Sequence, residues 1–174
     1  MGANTWDVTS LTTLANPQEI PNLLGCGRVG VIRIPINWAT VLASIGIINP
    51  SNSDLLTILY APAGMQITGA AMYVDVAGTT VASGGTATVA LGDSANTAGY
   101  FAATSIKTAS TYPTPAVGMV LTDAYGAATK VYSSKTAIQL LFGGNATSIT
   151  KGQISIYLNV WRMDFEQYSD ITWH

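Results

Sequence analysis

The sequence predicts an all-β chain, an antiparallel β-sandwich or jelly roll with an extended N-terminal arm. Three observations carry that expectation. Short runs of β-branched and small residues recur between Gly, Asn and Pro turns. The run near the C-terminus alternates strictly, with Ile154, Ile156, Leu158 and Val160 on one face and Ser155, Tyr157, Asn159 and Trp161 on the other. Residues 1–28 follow no period of 2 or 3.6 and are broken by Pro17 and Pro21.

The first 28 residues, MGANTWDVTSLTTLANPQEIPNLLGCGR, scatter Trp6, Val8, Leu11, Leu14, Ile20, Leu23 and Leu24 along an irregular stretch. These are the candidate interface residues. Burying six of these seven side chains gives roughly 9–18 kcal/mol, whereas ordering about 25 residues of backbone costs on the order of 25–50 kcal/mol. Apolar contact alone therefore does not fix the arm. It needs backbone hydrogen bonds as well, most simply by adding to a sheet edge of its own or a neighbouring subunit. The expected division is an arm over 1–28 and a single sandwich domain over 29–174.

From Val29 onward, strand signals dominate. Val29–Pro35 alternates and stops at proline. Residues 38–48 are ambiguous: Val41, Leu42, Ile45 and Ile48 fit a short helix, while the β-branching fits a strand. Asn49-Pro50-Ser51-Asn52 reads as a turn, and Leu55–Tyr60 as a strand closed by Ala61-Pro62-Ala63-Gly64. Met65–Val76 reads as a long strand, with Gly69 a candidate bulge. Thr86–Leu91 follows the Gly84-Gly85 turn, and Tyr100–Ile106 is a weaker strand ahead of a loop with Pro113 and Pro115. Ala128–Tyr132, Ala137–Phe142 and Gln153–Met163 complete the set, separated by Ser133-Ser134 and Gly143-Gly144-Asn145. About eight strands at roughly 10–15-residue spacing are the pattern of a sandwich wound as a jelly roll.

Composition narrows function. Only 9% of the 174 residues are charged, seven basic and nine acidic, where a typical soluble domain has about a quarter. A surface so poor in charge points to contact with other protein. The net charge of −2 leaves no electrostatic footprint for phosphate, which argues against nucleic acid as a partner. No run approaches the ~18 apolar residues of a membrane span. The N-terminus lacks the basic-then-apolar order of a secretion signal, so synthesis in a cytoplasm is expected. Cys26 is the single cysteine, which excludes an internal disulfide and suits a small buried hydrophobe.

The chemistry that enzymes require is scarce. The single histidine, His174, is the last residue of the sequence, which argues against Ser-His-Asp and Cys-His arrangements and against a zinc site. Asp164 and Glu166, beside Trp161, Phe165 and Tyr168, could form a carboxylate pair, but solvated charges past a strand end explain them equally well. Gly25-Cys26-Gly27-Arg28-Val29-Gly30 fits G-x-G-x-x-G, yet it precedes a strand and not a helix, and reads as a joint between arm and sandwich. Gly92-Asp93-Ser94-Ala95-Asn96 offers oxygen ligands without a second acid nearby, so an Asx turn is expected there in preference to calcium. Asn145-Ala146-Thr147 is a formal glycosylation sequon, which means nothing without a secretory route. Tyr73, Tyr157 and Trp161 lie within strand patterns, where aromatics more often serve core or interface than a sugar platform. The expectation is a non-enzymatic protein with no catalytic residue, metal, cofactor or small-molecule substrate.

The run from Leu55 to Ile106 includes LLTILYAPAGMQITGAAMYVDVAGTTVASGGTATVALGDSANTAGYFAAT. Its strand ending in Pro62-Ala63-Gly64, the MYVDV strand, the Gly-rich hairpin, the Leu91-Gly92-Asp93 turn and the Gly99–Ala102 segment resemble a pattern of tailed-bacteriophage capsid decoration, or cement, proteins. Lys151-Gly152-Gln153 leading into ISIYLNVW resembles the last strand of such a domain. The arm and residues 36–53 match nothing in that pattern. The resemblance implies a jelly-roll subunit, usually a homotrimer, on the exterior of an icosahedral virion capsid. It would contact the major capsid protein, bridge capsomers and be made in the host bacterial cytoplasm. Another virion component (tail, fibre or connector) and a carbohydrate-binding β-sandwich module are the alternative readings.

Overall fold

In the computed structural model, the described residues are 5–7, 29–44, 50, 52–80, 86–107, 130–144 and 149–162, and two sheets account for most of them. The elements are β1 (Thr5–Asp7), β2 (Val29–Asn37), α1 (Trp38–Ser44), β3 (Leu55–Ala61), β4 (Met65–Thr80), β5 (Ala87–Asp93), β6 (Phe101–Ser105), β7 (Lys130–Val131), β8 (Thr136–Gly144) and β9 (Ile149–Arg162). One sheet has the order β1-β3-β8-β5-β6 and the other β2-β9-β4-β7. Every pairing is antiparallel except β1 with β3.

The order has a simple logic. β2 pairs with β9, β3 with β8, β4 with β7 and β5 with β6. Those four pairs are the successive rungs of one long hairpin whose tip is the β5–β6 connection. Winding that hairpin up adds the β4–β9 and β5–β8 pairings and yields the eight-stranded jelly-roll order.

The alternation read in the sequence places the core. Ile32, Ile34 and Ile36 of β2, Met72 and Val74 of β4, and Ile154, Ile156, Leu158 and Val160 of β9 are buried in one hydrophobic cluster. Leu56 and Ile58 of β3, Val89 and Leu91 of β5, and Ile138, Leu140 and Phe142 of β8 join that cluster from the other sheet. A period of 2 on both inner faces thus forms a single two-layer core.

The described part of the ambiguous segment, Trp38–Ser44, is a helix. Asn37 caps it, its Oδ1 accepting the Thr40 amide at 3.4 Å. Trp38 and Val41 turn inward, and Trp38 meets Phe142 edge-on with ring centroids 5.5 Å apart. The helical spacing prevails here because this face closes one end of the sandwich. The bulge expected at Gly69 is present: the β4–β9 register shifts between Ile67 and Gly69. β4 runs on past Val76 to Thr80, with further shifts that keep it paired to β9. Gly143-Gly144, expected as a turn, instead ends β8. A Cβ on Gly143 would stand 2.7 Å from Thr88 Oγ1, and Gly144 has a φ of +73° with Thr86 O only 2.5 Å from a Cβ position. Glycine is required there by the close approach of Thr86 and Thr88.

Candidate interaction surfaces

Of the arm residues singled out as an interface, the structure describes the backbone of Trp6. It lies in β1, in parallel register with Leu56, flanked by Thr5 opposite Leu55 and Asp7 opposite Thr57. The arm thus does gain backbone pairing at a sheet edge, that of β3. Val8, Leu11, Leu14, Ile20, Leu23 and Leu24 lie outside the described residues, as do Cys26, Asn145, Asp164, Glu166 and His174. Gly30, the last glycine of the G-x-G-x-x-G match, sits inside β2 and opens no helix.

The outer face of the four-stranded sheet is assembled by register. Tyr157 of β9 lies between Arg33 and Ala71, Ser155 between Pro35 and Tyr73, and Asn159 between Val31 and Gly69. Arg33 donates from Nε and Nη2 to Ser155 Oγ at 3.2 and 3.0 Å, and Ser155 Oγ donates to Asp75 Oδ2 at 2.7 Å. One serine therefore links a cation to an anion across three strands, and Arg33 also lies 6.0 Å from the Tyr157 ring centroid. Val31, Val76 and Val131 remain 57%, 53% and 50% exposed on this sheet. Exposed valines and aromatic rings share this face with Asn159, and Arg33 and Asp75 are joined through a hydroxyl. Such a composition suits contact with protein more than with open water. The period-2 reading of β9 placed Tyr157 and Trp161 on this face. The Arg33–Ser155–Asp75 chain escaped it because its members are far apart in sequence.

A buried polar clasp joins the two sheets. Asp93, at the end of β5, is 1% exposed. Its Oδ1 accepts the amides of Ala95 at 2.9 Å and Asn96 at 3.1 Å, which is the expected Asx turn. Its Oδ2 accepts the Tyr132 hydroxyl at 2.9 Å and lies 3.5 Å from Lys130 Nζ. The Tyr132 and Tyr100 hydroxyls are hydrogen-bonded to each other. The clasp fastens β7, which meets β4 at two residues, to the far sheet. Among the described residues no group of three or more His, Cys, Asp or Glu is placed to hold a metal, and no helix is long and apolar enough to cross a membrane.

Burial, first, and then the hydrogen bond with Tyr100 push the Tyr132 phenol well above its ordinary value of 10.0. A raised folded-state value means that the fold holds this proton more tightly than the unfolded chain does. Its stabilising contribution is full below pH 10 and declines as pH rises above it, by up to about 1.4 kcal/mol per pH unit. Urea midpoints measured from pH 9 to 12 should fall in the wild type, with a shallower fall for Tyr132→Phe. Parallel slopes would contradict this assignment.

No protein-family model matches this chain, and no curated protein matches its sequence. Among solved structures, a chain from the cyanophage Pam1 capsid asymmetric unit aligns with a TM-score of 0.55 at 16% identity, over 79% of this chain and 86% of that one. A chain from the acidic stable capsid structure of Helicobacter pylori bacteriophage KHP30 aligns with a TM-score of 0.47 at 10% identity, over 76% and 86%. The Pam1 likeness is one of fold, and it spans most of both chains.

Proposed function

We propose that this protein is a structural virion component, a decoration protein that binds the outside of an icosahedral phage head. In this reading it acts as a homotrimer that contacts the major capsid protein, bridges neighbouring capsomers and performs no catalysis. The observation that carries the reading is the fold likeness to a chain of a phage capsid asymmetric unit over most of both lengths. The low charge and the exposed valines of the outer sheet face support it, since both suit a subunit that spends its life against other protein. Symmetric repetition then lets modest contacts hold through avidity.

Antibody raised against the purified chain tests this by immunogold labelling of intact virions of the phage that encodes it. The expected result is label over the outer surface of heads. Label confined to tails would replace the decoration reading with another virion component, and absence of label from virions would contradict both.

A further inference from the structure

We infer that β1 is exchanged between subunits, so that Thr5–Asp7 of one copy occupies the β3 edge of a second copy of this chain. The inference rests on the reading of the protein as a homo-oligomer and specifies the contact that joins its subunits.

The acceptor edge is unlike the other long edge of the sandwich. β2, which borders the four-stranded sheet, carries Arg33 and Pro35, the kinds of residue that discourage strand addition. β3 reads LLTILYA, with no charge and no proline. An edge of this composition must be covered, and β1 covers it from Leu55 to Thr57 in parallel register.

The length of the connection argues for a covering strand from a second copy. Tyr132, following β7, bonds to Tyr100, preceding β6, so the β7 and β6 edges share one side of the sandwich. The β2 and β3 edges therefore share the opposite side. Closing residues 8–28 within one subunit requires passing the rest of β3, about 13 Å, and crossing one sheet spacing, ~10 Å. The same residues extended reach roughly 70 Å. Twenty-one residues therefore exceed in length what closure within a subunit needs. A domain of this size is about 40 Å across, and the connection is long enough to reach the β3 edge of a copy alongside. A parallel pairing imposes no short turn that would tie donor to acceptor. Exchange of an identical element costs little, because each copy gains the pairing it gives up.

Thr5→Cys combined with Leu55→Cys, in a Cys26→Ser background, tests the exchange, because register partners stand within disulfide reach. Asp7→Cys with Thr57→Cys is the second pair, in case the first perturbs folding. Light scattering first gives the solution mass of the unmodified chain. The protein is then oxidised at low micromolar concentration and run on a non-reducing denaturing gel. The expected result is an oligomeric mass, with most chains in covalent species of two or more. An oligomeric mass with only intrachain bonds, or with unreacted thiols in both pairs, overturns the exchange and leaves the homo-oligomer standing. A monomeric mass overturns both.

Discussion

Asp93→Ala is expected to destabilise the fold by about 3–5 kcal/mol, the sum of a few buried hydrogen bonds lost at ~1–3 kcal/mol each. The carboxylate accepts the Tyr132 hydroxyl and the Ala95 and Asn96 amides, and Lys130 stands 3.5 Å away. Truncation leaves several donors without their acceptor in a site where water does not readily replace it, at ~1–3 kcal/mol each when buried. Lys130 is 29% exposed and loses little, since its ammonium can turn to solvent. Asp93→Asn keeps one acceptor for the turn amides and allows the Tyr132 hydroxyl to reverse its role, so its cost is smaller, about 1–2 kcal/mol. Urea denaturation of the two variants checks the order. Equal losses would mean that the clasp acts through shape and not through its acceptor oxygens.

Gly92→Ala is the second large effect, with an expected cost of about 3 kcal/mol or more. A Cβ at Gly92 would lie 1.9 Å from Asn96 O, 2.4 Å from the Thr97 carbonyl carbon and 2.7 Å from Thr97 Cα. All three atoms are backbone, so no side chain can rotate away to make room. Relief requires the 94–99 loop to lift. That breaks the hydrogen bond donated by the Asp93 backbone N–H to Asn96 O at 2.9 Å and disturbs the Asx turn beneath it. Gly69→Ala is the internal control, because its Cβ would meet only the Asn159 side chain, crowding its terminal Nδ2 at 2.9 Å while Cβ and Cγ stay at ordinary contact distance. A thermal melt in which Gly92→Ala loses no more stability than Gly69→Ala would contradict this account of the loop.

These two sites show where the sequence is legible and where it is not. The Asx turn at Asp93–Asn96 could be read directly, because its donors and acceptor lie within three residues of one another. That the same carboxylate is buried and holds Tyr132 could not, since the hydroxyl comes from 39 residues away. The β9 faces and the Gly69 bulge were legible for the same local reason: a period of 2 and a glycine inside it are properties of one strand. The helix over Trp38–Ser44 stayed ambiguous because β-branching and helical spacing coexist there, and packing against Phe142 at the end of the sandwich decides between them. The run of β8 through Gly143-Gly144 is not legible locally, because the glycines answer to Thr88 of β5 and to Thr86 just before it.

For the candidate surfaces, the sequence identified the arm as a stretch in need of backbone partners, and the β1–β3 pairing supplies one at Trp6. It did not identify the acceptor, because an edge strand and a central strand of similar composition look alike in sequence. The Arg33–Ser155–Asp75 chain was out of reach for a related reason. Its hydrogen bonds join residues 122 and 80 positions apart, brought together only by the register of β2 and β4 on β9.

A jelly roll with few charges, a polar clasp between its sheets and a β3 edge in need of cover is well suited to serve as a repeated unit held by its neighbours. The claim that it coats a phage head is tested most directly by cosedimentation. Heads of the encoding phage, prepared without this protein, are mixed with increasing amounts of the purified chain, pelleted, and the bound fraction quantified. The account predicts saturable binding at a fixed copy number per head, reduced at least tenfold when residues 1–28 are deleted. A chain that stays in the supernatant at every concentration would contradict it.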